Sequence, residues 1–268
     1  MAEQQLDLFS RKARSPASSS CPAAGQPVTA PSSFADADLI ALLPTAGIVE
    51  APLLAMEAGR RRLRPAIPAL EALCRRFAGF GVSQAVPEQE AAFEALAMIG
   101  GQEVKQVLAR MIFTRVVQGP TLSKAVTGAA RLKIILPAAL ITQFLQDDDA
   151  RLRAAACGCV PLDAKVIERL VECLQDHEPE VRLSAACALG RLGRKEALSP
   201  LTQLLQQDPS PESIDAVTLV ADEDCIILLG RIARTRPDLK IEALDALGAI
   251  DHPTASTLSM KLRAGSDR

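Results

Sequence analysis

Residues 176–207, DHEPEVRLSAACALGRLGRKEALSPLTQLLQQ, contain two amphipathic helical patterns, one on each side of Gly193. Apolar residues recur every three or four positions in each half, which places them on one face of an α-helix. In the first half these are Val181, Ala185, Ala188, Leu189 and Leu192, and in the second Leu198, Leu201, Leu204 and Leu205. The stretch therefore predicts a pair of helices whose apolar faces need neighbours to bury them.

The same pattern recurs along the chain. Leu152-Arg153 returns as Val181-Arg182, and Ala188-Leu189-Gly190 returns at twice that spacing as Ala246-Leu247-Gly248. Helix pairs that repeat at such a period stack into an α-solenoid, because no single pair can bury its own apolar faces. We interpret Gly190 as a point of close packing and Gly193 as a helix stop.

These residues resemble the HEAT-repeat family, in its short, alanine-rich version shared with phycobilin-lyase-like proteins. The resemblance is strong over residues 147–207 and weaker over 88–117 and 208–263. It implies an all-α, HEAT-like α-solenoid of about six or seven helix pairs over residues 36–264, and the composition of the preceding residues predicts a disordered N-terminal tail. The residues that carry it are Asp176, Pro179, Val181-Arg182, Ala185-Ala186, Ala188-Leu189-Gly190 and Leu192-Gly193.

Composition agrees with a helical protein and narrows the function. The chain is 49% hydrophobic but 3% aromatic, with no Trp and no Tyr, which disfavours β-rich folds. The net charge of −2 excludes a polycation built for nucleic acid, although Lys and Arg outnumber Asp and Glu in residues 1–134 by 15 to 11. No apolar run is long enough for a membrane span, and the N-terminus has no apolar signal core, so we expect a cytoplasmic protein.

Residues 1–35 lie outside the repeat pattern. Residues 15–35 are rich in Pro, Ser and Ala and predict a disordered linker. Residues 1–14 contain a short apolar motif, Gln5-Leu6-Asp7-Leu8-Phe9, and a basic flank. Because Leu6, Leu8 and Phe9 stand outside the helical period, they need a binding surface of their own.

The motif resembles the bacterial sliding-clamp-binding peptide, and all five positions fit. The resemblance implies that Gln5 anchors the peptide by hydrogen bonds, Leu6 supports the fit, Leu8 and Phe9 enter an apolar pocket, and Asp7 faces a polar rim. The alternative is that the three apolar side chains cover the exposed first helix pair of the solenoid as a cap. The clamp interpretation is the one we favour.

A basic stretch forms a second candidate site. Six arginines fall between positions 60 and 76, and on one face they would hold phosphates. No aromatic residue is interleaved with them, so base stacking is not supported and DNA is a weak candidate partner. A surface that pairs with acidic repeats is the slightly favoured alternative. The six are Arg60, Arg61, Arg62, Arg64, Arg75 and Arg76.

The sequence indicates no catalytic site, metal site or cofactor. The acidic runs 147–149 and 222–224 stand where helices should begin, so we interpret them as helix caps rather than metal ligands. A nucleophilic Cys187 or Cys225 would need a neighbouring imidazole, and the chain has two His. We therefore predict a non-enzymatic adaptor that binds the sliding clamp in replication or repair and a second protein on its repeats. The alternatives are a scaffold without clamp contact and a lyase-like or glycosylase-like HEAT enzyme.

Overall fold

The computed structural model describes residues 31–264, and within them α-helices follow one another without a β-strand. The first five are α1 Asp36–Leu42, α2 Glu50–Arg60, α3 Ile67–Arg76, α4 Pro87–Ile99 and α5 Gln102–Phe113. The next five are α6 Gly119–Arg131, α7 Ala138–Phe144, α8 Ala150–Ala156, α9 Ala164–Cys173 and α10 Pro179–Arg191. The last five are α11 Leu198–Gln207, α12 Pro211–Val217, α13 Glu223–Thr235, α14 Lys240–Ala249 and α15 Pro253–Ala264.

The helices form two layers. Each even-numbered helix from α2 to α12 packs on the next even-numbered helix, and the odd-numbered helices that follow them form the second layer. Short connections join the two helices of each pair, so the described residues hold seven helix pairs with α1 in front of them. The predicted all-α solenoid of six or seven pairs is therefore confirmed. No helix within residues 31–264 combines the length and apolarity that crossing a bilayer requires.

Helix starts are fixed by short polar side chains or by proline. The carboxylate of Asp149 accepts a hydrogen bond from the amide of Arg151 at 2.9 Å, and that of Asp222 accepts one from the amide of Cys225 at 2.9 Å. Each carboxylate satisfies an amide that has no partner inside the helix. Both acidic runs thus cap helices, as the sequence predicts.

Glycines set the packing and the end of α10. A Cβ on Gly190 would lie 2.3 Å from the carbonyl oxygen of Ala216 in α12, so only glycine allows this approach. Gly193 has φ +66°, a conformation that L side chains rarely adopt, and it ends the helix. Both glycines therefore have the roles that we assigned from the sequence.

One buried ion pair joins two successive helix pairs. The guanidinium of Arg153 in α8 donates two hydrogen bonds of 2.9 Å to the carboxylate of Asp176, just before α10. It also donates to the backbone carbonyls of Asp147 and Asp148 at 2.9 and 3.1 Å. The bonds from Arg153 hold the pKa of the Asp176 carboxyl below its ordinary value. The fork geometry of arginine suits this bidentate contact between repeats.

Candidate functional site

The inner, even-numbered helices form the floor of a concave groove. The groove has a volume of about 840 Å³ and runs across α4, α6, α8, α10 and α12. Its middle is lined mainly by small side chains, so a partner could approach the helices closely. These residues are Ser123, Thr127, Ala130, Ala154, Ala155, Gly158, Ser184 and Cys187.

Charge is distributed unevenly between the two edges of this groove. Consecutive helices alternate in direction, so the inner helices run the same way and their N-termini share one edge. Acidic groups gather there, and basic groups end α6 and α10 at the other edge, each complementing the helix dipole. The acidic residues are Glu90, Asp149, Glu180 and Glu212, and the basic residues at the far edge are Arg131 and Arg191.

Two of the acidic groups are occupied within the protein. Glu90 accepts a hydrogen bond of 2.5 Å from Lys124, which links α4 to α6. Asp149 accepts a bond of 2.6 Å from the hydroxyl of Ser123, which links α8 to α6. These contacts hold neighbouring helices at the groove in a fixed arrangement.

Three groove arginines are not occupied in this way. The guanidinium groups of Arg131, Arg151 and Arg191 make no hydrogen bond or ion pair with any residue of the described part of the chain. They come from three successive inner helices and line the same groove. Sequence reasoning missed them because each looks like an ordinary surface arginine. Only Arg131 and Arg191 share a register, since each is the last residue of an inner helix, and this is the signal that could have found these two.

The cysteines near the groove are not activated nucleophiles. Burial raises the pKa of the Cys187 thiol to about 11 and that of the Cys173 thiol to about 11, so both are protonated at neutral pH. The six cysteines of the described residues are free and buried, as the sequence predicts for those in helical patterns. Between residues 31 and 264 no three His, Cys, Asp or Glu side chains converge as a metal ion would require.

Four of the six arginines proposed for phosphate binding already have internal partners. Arg60 and Arg61 both donate to the carboxylate of Glu57 at 2.7 Å, and these bonds lower the pKa of Glu57 to about 2. Arg75 donates to Glu71 at 2.8 Å. Arg76 donates to the backbone carbonyls of residues 44 and 46 and lies over the ring of Phe77.

The remaining two, Arg62 and Arg64, are exposed in the connection between α2 and α3 and have no hydrogen-bond or ion-pair partner within residues 31–264. The cluster therefore does not act as one free basic face. Most of its charge stabilises the first two helix pairs, and phosphate binding by Arg62 and Arg64 stays a prediction.

Arg61 also holds the chain that leads into the array. Its guanidinium donates to the carboxylate of Asp36 at 2.7 Å and to the carbonyls of Ser32 and Phe34 at 2.9 Å each. A short 3-10 turn, Pro31–Ser33, lies next to it. The motif Gln5, Leu6, Asp7, Leu8 and Phe9, together with residues 1–14 and most of the predicted linker, lies outside the described residues.

The fold and the groove define an α-solenoid with a concave surface. Comparison with protein families adds that residues 137–221 match the family described as HEAT repeats. This range covers the strongest repeats of the sequence, from just before α7 to just after α12. A search of curated proteins found no match.

One solved structure with a TM-score above 0.5 agrees on the fold. A chain of the complex of CpcE and CpcF of phycocyanin lyase from Nostoc sp. PCC7120 is 17% identical, with a TM-score of 0.59, and the alignment covers 93% of this chain and 99% of that one. The Escherichia coli protein YibA is 16% identical with a TM-score of 0.43, covering 83% and 94%. Human deoxyhypusine hydroxylase is 18% identical with a TM-score of 0.38, covering 81% and 84%. At such identities the likeness to the first structure shows the fold alone.

Proposed function

We propose that this protein is a non-enzymatic HEAT-repeat adaptor that holds a protein partner in its concave groove and binds the bacterial sliding clamp through Gln5–Phe9. The observation that carries the proposal is the set of three unoccupied arginines on successive inner helices. Charged groups left without internal partners in a concave surface are suited to electrostatic recognition of another molecule. Arg131 and Arg191 lie at one edge of the groove, whereas Arg151 lies among the acidic residues at the other edge, and this mixture of charges favours a protein that carries both signs of charge over nucleic acid.

The clamp contact is supported by the sequence of the motif and by where the array begins. Two leucines and a phenylalanine supply apolar anchors, and Gln5 supplies a directional hydrogen bond. Pro31, the first described residue, lies beside Arg61 at the end of α2, and α2 contributes no residue to the lining of the groove. The peptide and the groove therefore provide two separate binding surfaces on one chain.

The similar solved structure is a complex of two proteins, CpcE and CpcF. A HEAT-like array can thus assemble with a protein partner, and this supports assigning such a role to the groove. The proposal does not include the lyase activity of that complex, because the likeness concerns the fold alone.

The test of clamp binding is a titration of a purified bacterial sliding clamp with the full chain and with a Leu8→Ala/Phe9→Ala variant. We expect the double substitution to weaken binding at least tenfold, because it removes both apolar anchors. The matched control is Leu162→Ala, which alters a leucine that is 82% exposed in the array. Equal binding by all three proteins, or binding by none, would refute the clamp contact.

The groove is tested separately, by capture of partners with full-length protein. An Arg131→Glu/Arg191→Glu variant should lose the groove partner and keep the clamp. Arg64→Glu is the matched control, since Arg64 is exposed, without a partner among the described residues, and outside the groove. If the groove variant and the control retain the same proteins, the groove is not the binding surface.

A further inference from the structure

An apolar patch is exposed at the N-terminal end of the array. We call it the end patch, and it consists of Leu42, Ile48, Val49 and Leu53, which are 40%, 70%, 74% and 45% exposed. Val49 and Leu53 lie one turn apart, so they share a face of α2. No other stretch of twelve residues in the described chain holds as many exposed large apolar side chains as residues 42–53. A surface of this kind needs a cover.

The surroundings of the end patch are acidic. Asp38 and Glu50 are exposed beside it, and no Lys or Arg occurs between residues 34 and 59. Two arginines reach this segment from elsewhere: Arg61 pairs with the carboxylate of Asp36, and Arg76 donates to the carbonyls of residues 44 and 46. One cation therefore stands against the carboxylates of Asp38 and Glu50, which have no ion-pair partner within residues 31–264. An occupant of the patch should therefore combine apolar anchors with positive charge.

Residues 5–14 of the same chain have this combination. Leu6, Leu8 and Phe9 supply apolar side chains, and Arg11, Lys12 and Arg14 follow them directly. No other stretch among residues 1–30 contains an aromatic residue or a cluster of cations. The apolar residues of this segment complement the apolar side chains of the end patch, and its cations complement the carboxylates beside the patch.

The segment can reach the end patch. Arg61 follows the last residue of α2 and holds residues 31–36 there. Leu53 lies in α2 eight residues before Arg61, so the two are about 12 Å apart along the helix axis. The 21 residues from 10 to 30 have a root-mean-square span of roughly 23–27 Å as a flexible chain. A tether of this length gives an effective concentration on the order of 1 mM at the patch.

We propose that residues 5–14 dock on the end patch of their own array through Leu6, Leu8 and Phe9, with the basic flank beside Asp38 and Glu50. The docking does not require that the chain binds the clamp. A consequence for the clamp rests on the function proposed above: Leu8 and Phe9 cannot occupy both surfaces, so the array and the clamp compete for one peptide.

The first experiment uses the full-length Leu8→Ala/Phe9→Ala variant, whose own segment should not dock, and a fluorescently labelled peptide of residues 1–14. Fluorescence anisotropy should show the peptide binding this variant with a Kd of about 0.1–1 mM. Binding to the wild-type chain should be several-fold weaker, because its own segment occupies the patch. Adding Ile48→Asp/Val49→Asp should abolish binding, and adding Ile241→Asp, at the other end of the array and 71% exposed, should not.

The docking proposal is wrong if the peptide does not bind the Leu8→Ala/Phe9→Ala chain at millimolar concentration, or if Ile48→Asp/Val49→Asp leaves its binding unchanged. A second titration, with purified clamp, separates the two proposals. Ile48→Asp/Val49→Asp should raise the affinity of the full chain for the clamp, because the segment is no longer held on the end patch. The gain should be about tenfold if the effective concentration of the tethered segment is about ten times the docking Kd. If no form of the chain binds the clamp, the clamp contact fails and the peptide titration alone decides the docking.

Discussion

Replacing Gly190 by Ala tests the packing of the inner layer most directly. Gly190 lies in α10, where the new Cβ would be 2.3 Å from the carbonyl oxygen of Ala216 and 2.6 Å from Cδ1 of Leu201. The leucine terminus can rotate away, but the carbonyl belongs to the backbone of α12. The two inner helices would have to separate by about an ångström to restore ordinary contact.

The size of the effect follows from a matched variant. Gly128 lies in α6, a helix of the same length in the same layer, and a Cβ there would meet no atom within 4 Å. Gly128→Ala should raise the free energy of unfolding by about 1 kcal/mol, because alanine restricts the unfolded chain and favours the helix. Gly190→Ala has the same gain, opposed by overpacking of about 1–3 kcal/mol. The difference between the two variants thus isolates the overpacking cost.

Urea unfolding followed by circular dichroism at 222 nm measures both variants against the wild type. We expect the Gly190→Ala midpoint to fall relative to Gly128→Ala by an amount corresponding to about 1–3 kcal/mol. Thermal unfolding should show the same order, with a separation of several degrees for an array of this size. If both variants are stabilised equally, the approach of α10 to α12 is looser than the structure shows and the reasoning fails.

Three further predictions concern the charged and thiol groups. Arg153→Met should lower the free energy of unfolding by about 2–4 kcal/mol, because Asp176 loses a buried bidentate partner. The control Arg182→Met removes only exposed hydrogen bonds to backbone carbonyls and should lower it by less than about 1 kcal/mol. The pKa of Asp176 is lowered in the folded state, so the carboxylate contributes fully to the free energy of unfolding above pH 3.8, its ordinary pKa, and this contribution is lost as the pH falls through the folded pKa. Urea unfolding should therefore show that the stability lost in Arg153→Met becomes smaller below pH 3.8. Glu57→Gln should loosen Arg60 and Arg61 and speed amide exchange in α1, and unchanged exchange at Leu39 would contradict this. A thiol reagent at pH 8 should modify the buried cysteines only after the protein unfolds, because their thiols are inaccessible and protonated in the folded state. Rapid reaction in the folded state would contradict this. The six cysteines are Cys74, Cys157, Cys159, Cys173, Cys187 and Cys225.

The repeats could be predicted from the sequence because their signals are local. The apolar period of residues 176–207 and the stop at Gly193 depend on residues within one helix pair. The role of Gly190 was also accessible, since a glycine inside an alanine-rich helix usually marks close packing. The same local logic explains why the acids of residues 147–149 and 222–224 were recognised as caps.

The groove could not be predicted, because it is assembled from helices far apart in the chain. Glu90 and Glu212 line the same surface although more than a hundred positions separate them. Small residues on the groove floor have the same composition as those between packed helices, so sequence does not distinguish the two. The arginines of residues 60–76 illustrate a second limit: their basic charge was visible, but the contacts of Arg61 with Asp36 and of Arg76 with residue 44 form only in the fold.

The contact between Arg153 and Asp176 has a mechanical consequence for the groove. A solenoid bends by small rotations between neighbouring helix pairs. Rotation between the α8–α9 and α10–α11 pairs must break a bidentate ion pair. Asp208 lies three residues before α12, as Asp176 lies three residues before α10, but no ion pair joins the α10–α11 pair to the α12–α13 pair within residues 31–264. The junction between α8 and α10 should therefore resist opening more than the junction between α10 and α12, so a bulky partner should widen the groove at its α12 end first.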